Sequence, residues 1–171
     1  MIETDRLILR PMADTDFGDV FRIFTDEEVM QSFGGSPFSQ QQMWHWMNEN
    51  LGHQREYGYG LFSVILKANG QLIGDCGLEH TVFNDKPCVE IGYDFLSDYW
   101  NQGYATEAAT AVKNYATNSV RIDRGTICSF IRRHSKASIC VSEKIGMERL
   151  QEFERYGAEY YLYGFATEYF G

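Results

Sequence analysis

The apolar positions along the chain switch between the period of a strand and that of a helix. Leu7-Ile8-Leu9-Arg10 is a short apolar run halted by Pro11, which has no N–H to give to a ladder, so it predicts an edge strand. Phe17, Val20, Phe21 and Phe24 then follow the i, i+3, i+4, i+7 spacing of one helix face, with Asp14 or Thr15 as cap. Gly34-Gly35 and Pro37 break the chain. Ser39 with Gln42 makes a capping box before Met43, Trp44, Met47 and Leu51, a second helix expected to end near Gly52. Residues 60–68 and 71–78 are rich in β-formers and are joined by Asn69-Gly70, which predicts a hairpin with a type I′ turn. After the Asn84-Asp85-Lys86-Pro87 loop, residues 88–96 read as a further strand. A glycine-bearing loop leads into a helix with Ala105, Ala108, Ala109, Val112, Tyr115 and Ala116 on one face. A strand at 126–130, a helix at 135–145 ended by Gly146, and strands at 147–153 and 160–167 complete the pattern. The fold class is mixed α/β, read as a single domain over 1–171, with no repeat or linker.

Composition narrows the functional classes. With 44% hydrophobic residues the 171-residue chain can bury a core and is not intrinsically disordered. The formal charge of −9 argues against nucleic-acid partners, because that affinity rests on cations neutralising phosphates; a cationic substrate is better steered. No run approaches the length of a membrane span, and the acidic first six residues do not read as a secretory signal, so the expectation is a cytoplasmic protein without a membrane partner. Cys76, Cys88, Cys128 and Cys140 are too far apart for a zinc cluster or redox dithiol and are read as buried thiols; no metal is expected.

The chemically informative stretch is Asp98-Tyr99-Trp100-Asn101-Gln102-Gly103-Tyr104-Ala105-Thr106-Glu107-Ala108, where a strand passes through a glycine loop into a helix. Unpaired N–H groups and the positive end of the helix dipole make such a place an anion seat, and Gly103 permits close approach. Neither a P-loop nor a G-x-G-x-x-G motif is present. The stretch resembles the acetyl-CoA-binding core of the GCN5-related N-acetyltransferases (GNAT), with its nearest likeness in the RimJ/RimL branch. Four further segments carry the resemblance in family order: Thr4-Asp5-Arg6-Leu7-Ile8-Leu9-Arg10, Gly74-Asp75-Cys76-Gly77-Leu78, Glu90-Ile91-Gly92-Tyr93, and Ser138 with Glu143-Lys144-Ile145-Gly146-Met147.

The resemblance implies the GNAT fold, a mostly antiparallel mixed sheet splayed between its fourth and fifth strands at the cofactor site and flanked by about four helices. It implies acetyl-CoA as co-substrate, its diphosphate held by backbone N–H groups of Gln102, Gly103, Tyr104, Ala105 and Thr106. Backbone groups of Phe95, Leu96 and Ser97 would pair with the pantetheine amides like an added strand, with an N–H near Leu96 holding the oxyanion. His134 stands where the family usually has Asn near the pantetheine, and Ser138 belongs to the same cofactor-side motif. Ser142 falls where other branches place a tyrosine thought to protonate the departing thiolate; serine is shorter and a poor acid. Trp100 replaces a common Gln or Arg.

Acetylation requires a neutral amine, hence a base. Glu90, on the strand leading to the cofactor, is the first candidate, Glu79 the second and His80 the third. Trp44, His45 and Trp46 fall where similar proteins shape the acceptor cleft, although core packing explains the tryptophans equally well. The aromatic tail from Tyr156 to Phe170 could be sheet core, pocket lining or a dimer face. The reading is direct transfer in a ternary complex to a primary amine, either a protein α-amino group or a small cationic amine, by a monomer or homodimer. The alternative is an inactive acyl-CoA-binding module of the same fold.

Overall fold

The computed structural model describes residues 1–165 and 167–171. Eight strands make one sheet in the order β1-β2-β3-β4-β5-β6-β8-β7. They are β1 (Ile2–Glu3), β2 (Leu7–Pro11), β3 (Leu61–Leu66), β4 (Leu72–Phe83), β5 (Lys86–Phe95), β6 (Ile127–Arg132), β7 (Glu148–Arg155) and β8 (Ala158–Gly164). Every pairing is antiparallel except β5–β6. The helices are α1 (Phe17–Thr25), α2 (Glu27–Ser32), α3 (Gln40–Tyr57), α4 (Tyr104–Tyr115), α5 (Lys136–Lys144) and α6 (Thr167–Phe170). The mixed α/β class and mostly antiparallel sheet are as expected, with two short helices, α2 and α6, added to the four.

Residues on alternate sides of the strands feed two cores. Cys76, Leu78, Ile91 and Phe95 pack with Ala108, Ala109 and Val112 of α4. On the other side Leu61, Leu72 and Leu96 join Val20, Phe24, Val29, Met43 and Met47 of α1–α3. A third cluster of Phe83, Cys88, Cys128, Leu162 and Phe170 closes the far end of the sheet.

Several expectations are corrected. Strand β2 is not the free edge, since β1 covers Ile8 and Leu9. Neither Asp14 nor Thr15 caps α1. The buried Asp16 carboxylate anchors that corner instead, accepting from Ala13 N–H, Ser63 Oγ and Arg10. Gly52 lies inside α3, which runs on to Gly58 (φ 72), where a left-handed residue releases the chain. A mid-helix glycine costs only about 1 kcal/mol, less than the burial of Met43 and Met47 returns. The Asn69-Gly70 connection is not a type I′ turn: Leu66 and Gln71 are hydrogen-bonded across a four-residue loop in which only Gly70 has positive φ. That turn forms at Asn84 (φ 48) and Asp85 (φ 62), between the paired Phe83 and Lys86. The last strand ends at Gly164; Ala166 and the Thr167 side chain, on which part of the expected strand falls, lie outside the described residues. Cys140 is exposed on α5, unlike the other three cysteines.

The pairing of β5 with β6 positions the site. It holds at Val89↔Ile127 and Glu90↔Cys128, after which Ser129 Oγ donates to the Ile91 carbonyl (2.8 Å). Beyond that bond the strands part, so the splay lies between the fifth and sixth strands rather than the expected fourth and fifth, the short β1 adding one to the count.

Candidate active site

The strands part onto a cleft of about 710 Å³. At one end, Asn101 (φ 60) and Gly103 (φ 82) bend the chain into α4, which no side chain caps. The first i→i−4 bond runs from Glu107 N–H to Gly103 O (3.0 Å), so the N–H groups of Tyr104, Ala105 and Thr106 have no partner within the helix. These three residues and Gly103 line the cleft. Donors without acceptors at the positive end of a helix dipole fit a diphosphate. Gln102 is exposed, and its side-chain amide goes to Asp98 O rather than into the cleft.

The N-terminal motif holds this turn from behind. Arg6 donates to Glu107 through its backbone N–H (2.9 Å) and Nε (2.7 Å), reaches Gln102 O with Nη1 (2.9 Å), and lies 4.3 Å above the Tyr104 ring. Thr4 Oγ1 donates to the same carboxylate. Burial raises the pKa of Glu107, but the bonds from Thr4 and Arg6 outweigh it and hold the carboxyl below its ordinary range. Thr4 and Arg6, which the sequence marks only as part of the family resemblance, thus brace the turn from which α4 starts.

In the splay, the phase of β5 decides which backbone groups are open. Pro87, with no N–H, sits opposite Val82, and pairs along an antiparallel ladder alternate, so odd-numbered β5 residues turn their amide groups away from β4. Leu96 N–H accordingly points back and donates to Ile73 O (3.0 Å). Ser97 N–H and Oγ both go to Asp26 Oδ2 (3.0 and 2.7 Å). The Phe95 carbonyl accepts from the Trp100 indole (2.8 Å). Of the stretch expected to meet pantetheine, Leu96 and Ser97 therefore have their N–H groups engaged, and an oxyanion donor near Leu96 does not match this geometry. The outward N–H groups are those of Tyr93 and Phe95.

Glu79 and Glu90 face each other across β4–β5 and both line the cleft. Burial, with Glu79 as a like-charged neighbour, pushes the Glu90 pKa up to about 8 against the weak opposing bond from Phe130 N–H. Burial also raises Glu79. A carboxyl poised near neutral pH, next to another, is suited to taking a proton from an ammonium. His80 points to the opposite face, where its N–H donates to His53 Nε2 and its ring stacks on Tyr57, and it does not line the cleft.

The α5 side brings His134 and Ser138 to the cleft, but Ser135 is the cap residue of α5, donating from Oγ to Ser138 Oγ (2.8 Å), and His134 stands exposed one position earlier. Ser142 is wholly buried with an unpartnered hydroxyl and does not line the cleft. Tyr93 does, its hydroxyl donating to Ser138 O (3.0 Å), and burial raises its pKa. Another wall of the cleft is formed by Val29 and Ser32 of α2, Phe33 at the end of that helix, and Tyr160. Trp44 instead stacks on Phe17 (4.0 Å), Trp46 packs on Phe24, and His45 pairs with Glu49 on the surface. The helix that shapes the cleft is one the periodicity missed, because six residues are too few to show it. Asp26 caps α2 with Oδ1 while Oδ2 holds Ser97.

Comparison with known proteins agrees with this geometry. A family profile described as "Acetyltransferase (GNAT) domain" matches residues 6–148. YkkB of Bacillus subtilis (strain 168), named as an uncharacterized protein, is 37% identical over 145 residues, 84% of this chain and 83% of YkkB. The crystal structure of a GNAT-family acetyltransferase from Bacillus anthracis superimposes with a TM-score of 0.79 at 28% identity, covering 98% of both chains. RimL, a ribosomal α-N-protein acetyltransferase solved in complex with coenzyme A, shares the fold (TM-score 0.74, 15% identity, 94% of this chain and 93% of RimL).

Proposed function

The chain belongs to the GNAT acetyltransferase family, and from that premise we propose that it transfers the acetyl group of acetyl-CoA to a primary amine by direct attack. The observation that carries this reading is the Glu79–Glu90 pair, directly opposed in the cleft where β5 and β6 part, with Glu90 poised near pH 8. A module that only binds acyl-CoA has no need of a buried, mutually opposed carboxyl pair beside the splay.

Acetyl-CoA supplies an activated acyl group. The N–H groups of Tyr104, Ala105 and Thr106 hold its diphosphate, Gly103 allowing close approach. The outward N–H groups of Tyr93 and Phe95 receive the carbonyl and amide oxygens presented in the splay. Glu90, assisted by Glu79, accepts the proton released as the amine nitrogen bonds the carbonyl carbon and the carbon–sulfur bond breaks. The Tyr93 hydroxyl, on turning its one proton away from the Ser138 carbonyl, supplies the hydrogen bond to the departing sulfur that the buried Ser142 does not. His134 and Ser138 bound the cofactor channel.

The test is calorimetric titration with acetyl-CoA together with thiol release across monoamines, diamines and N-terminal peptides. Binding plus turnover of one amine class is the expected result. A Gly103→Val chain should lose acetyl-CoA binding, because a β-branched residue opposes the left-handed φ of 82° that this turn requires. Tight binding without turnover of any amine would favour the inactive-module alternative.

A further inference from the structure

One face of β4–β5 carries an uncompensated row of carboxylates. Asp75 lies opposite Asp94 and Glu79 opposite Glu90, with Gly77 opposite Gly92 between the two pairs. The side-chain-free step is filled from one side only: a Cβ on Gly92 would sit 3.4 Å from Glu79 Oε2, so the Glu79 carboxylate lies over Gly92 towards Asp94. Glu90, Glu79, Gly92 and Asp94 all line the cleft. Behind Asp94, Asp75 is 1% exposed, and among the described residues neither of its carboxylate oxygens has a hydrogen-bond partner.

Among the described residues, none of these four acids is in an ion pair. Arg132, Lys136 and Lys144 line the same cleft, but among the described residues no cation on the surrounding elements is paired with these acids. Arg10 of β2 is held by Asp16, which itself takes the Ser63 hydroxyl. Arg132 of β6 lies over Tyr160 (5.7 Å), and Arg155 of β7 lies over Phe130 (5.3 Å), attracting Glu90 without contacting it. Lys136 and Lys144 belong to the α5 side of the cleft. α2 and the residue ending it contribute only Val29, Ser32 and Phe33.

Buried carboxyl groups without partners are costly to a fold, whether ionised or held protonated, and such a cluster persists where a ligand supplies the missing positive charge. A monoamine at Glu79–Glu90 would leave Asp94 and Asp75 uncompensated. We infer that the acceptor is a small molecule with two ammonium groups, one presented for acetylation at Glu79–Glu90 and the other bound by Asp94 with Asp75 beneath it. The step from Gly92, over which Glu79 lies, to Asp94 is two residues, about 7 Å along the strand. That matches the nitrogen-to-nitrogen span of a linear diamine with four or five carbons. This inference rests on the acetyltransferase reading and names its substrate class.

The experiment compares 1,5-diaminopentane with n-pentylamine, a diaminocyclitol and an N-terminal peptide. The expected kcat/KM ratio of diamine to monoamine is about fifty or more, from roughly one additional charge-assisted pair of 2–3 kcal/mol. Asp94→Asn, an isosteric change, should shrink that ratio at least tenfold through KM, and Asp75→Asn less. Independently of turnover, titration of 1,5-diaminopentane in two buffers of different ionisation enthalpy at pH 7 should show binding with proton release, because the site yields its protons to a dication. A diaminocyclitol outperforming the linear compound would keep the inference and move the source to aminosugars. A ratio near one, a ratio unmoved by Asp94→Asn, or no diamine binding overturns the inference. Peptide or monoamine turnover in that same experiment would leave the acetyltransferase reading standing, whereas failure to bind acetyl-CoA would strike that reading and with it the diamine's role as acceptor.

Discussion

Replacing Glu90 by Gln should inactivate the enzyme and stabilise the fold, and the second effect has a pH signature. Folding raises the Glu90 carboxyl from its ordinary 4.5 to about 8, chiefly by burial and then by Glu79. The rise of 8 − 4.5 = 3.5 pH units corresponds to ~5 kcal/mol between the protonated and ionised folded states. Because the folded pKa lies above the unfolded one, the contribution is fully present below pH 4.5 and is lost as pH rises through 8. By pH 6 about 2 kcal/mol has gone and by pH 9 almost all of it, a change of about 2.5 kcal/mol across that window. Gln cannot ionise and keeps an oxygen for the Phe130 N–H. Urea denaturation of both proteins at pH 6 and pH 9 should show the stability difference shifting by about 2.5 kcal/mol in favour of Glu90→Gln at the higher pH. In the parent protein kcat/KM should rise with pH and level off above about 8, since the base acts when deprotonated. An identical stability difference at both pH values would refute the reasoning, because it would mean that Glu90 ionises in the fold as freely as in the unfolded chain.

Three further outcomes follow from the contacts. Arg6→Ala removes the brace on the Gln102 carbonyl and Glu107, and should raise the acetyl-CoA Kd about tenfold by calorimetry, ~1.4 kcal/mol; an unchanged Kd would show that the turn holds its shape unaided. Asp26→Ala uncaps α2 and releases Ser97, which should cost about 1–2 kcal/mol in denaturant unfolding. Tyr93→Phe should lower kcat more than it changes KM, with the deficit shrinking for acyl donors that carry a more acidic thiol; a deficit independent of the thiol would make Tyr93 merely structural.

What the sequence could determine was whatever a local rule writes into consecutive residues. The amphipathic faces of α1, α3 and α4 follow from spacing, and the anion seat at Gly103 to Thr106 follows from a strand, a left-handed residue and a helix start in immediate succession. Glu79 and Glu90 were visible as acids on neighbouring strands. Local rules failed where a competing contact lay far away in the chain. Asn69-Gly70 carries the stronger type I′ signature, yet the pairing of β4 with β5 places that turn at Asn84-Asp85. Leu96 and Ser97 looked available to a ligand until Ile73 and Asp26 were found to occupy their N–H groups, and α2 is too short to announce itself by period. The same applies to the carboxylate row. Register alone sets Asp75 against Asp94 and Glu79 against Glu90, and burial then turns four ordinary acids into an uncompensated site, because both the cost and the use of a charge depend on what surrounds it in space.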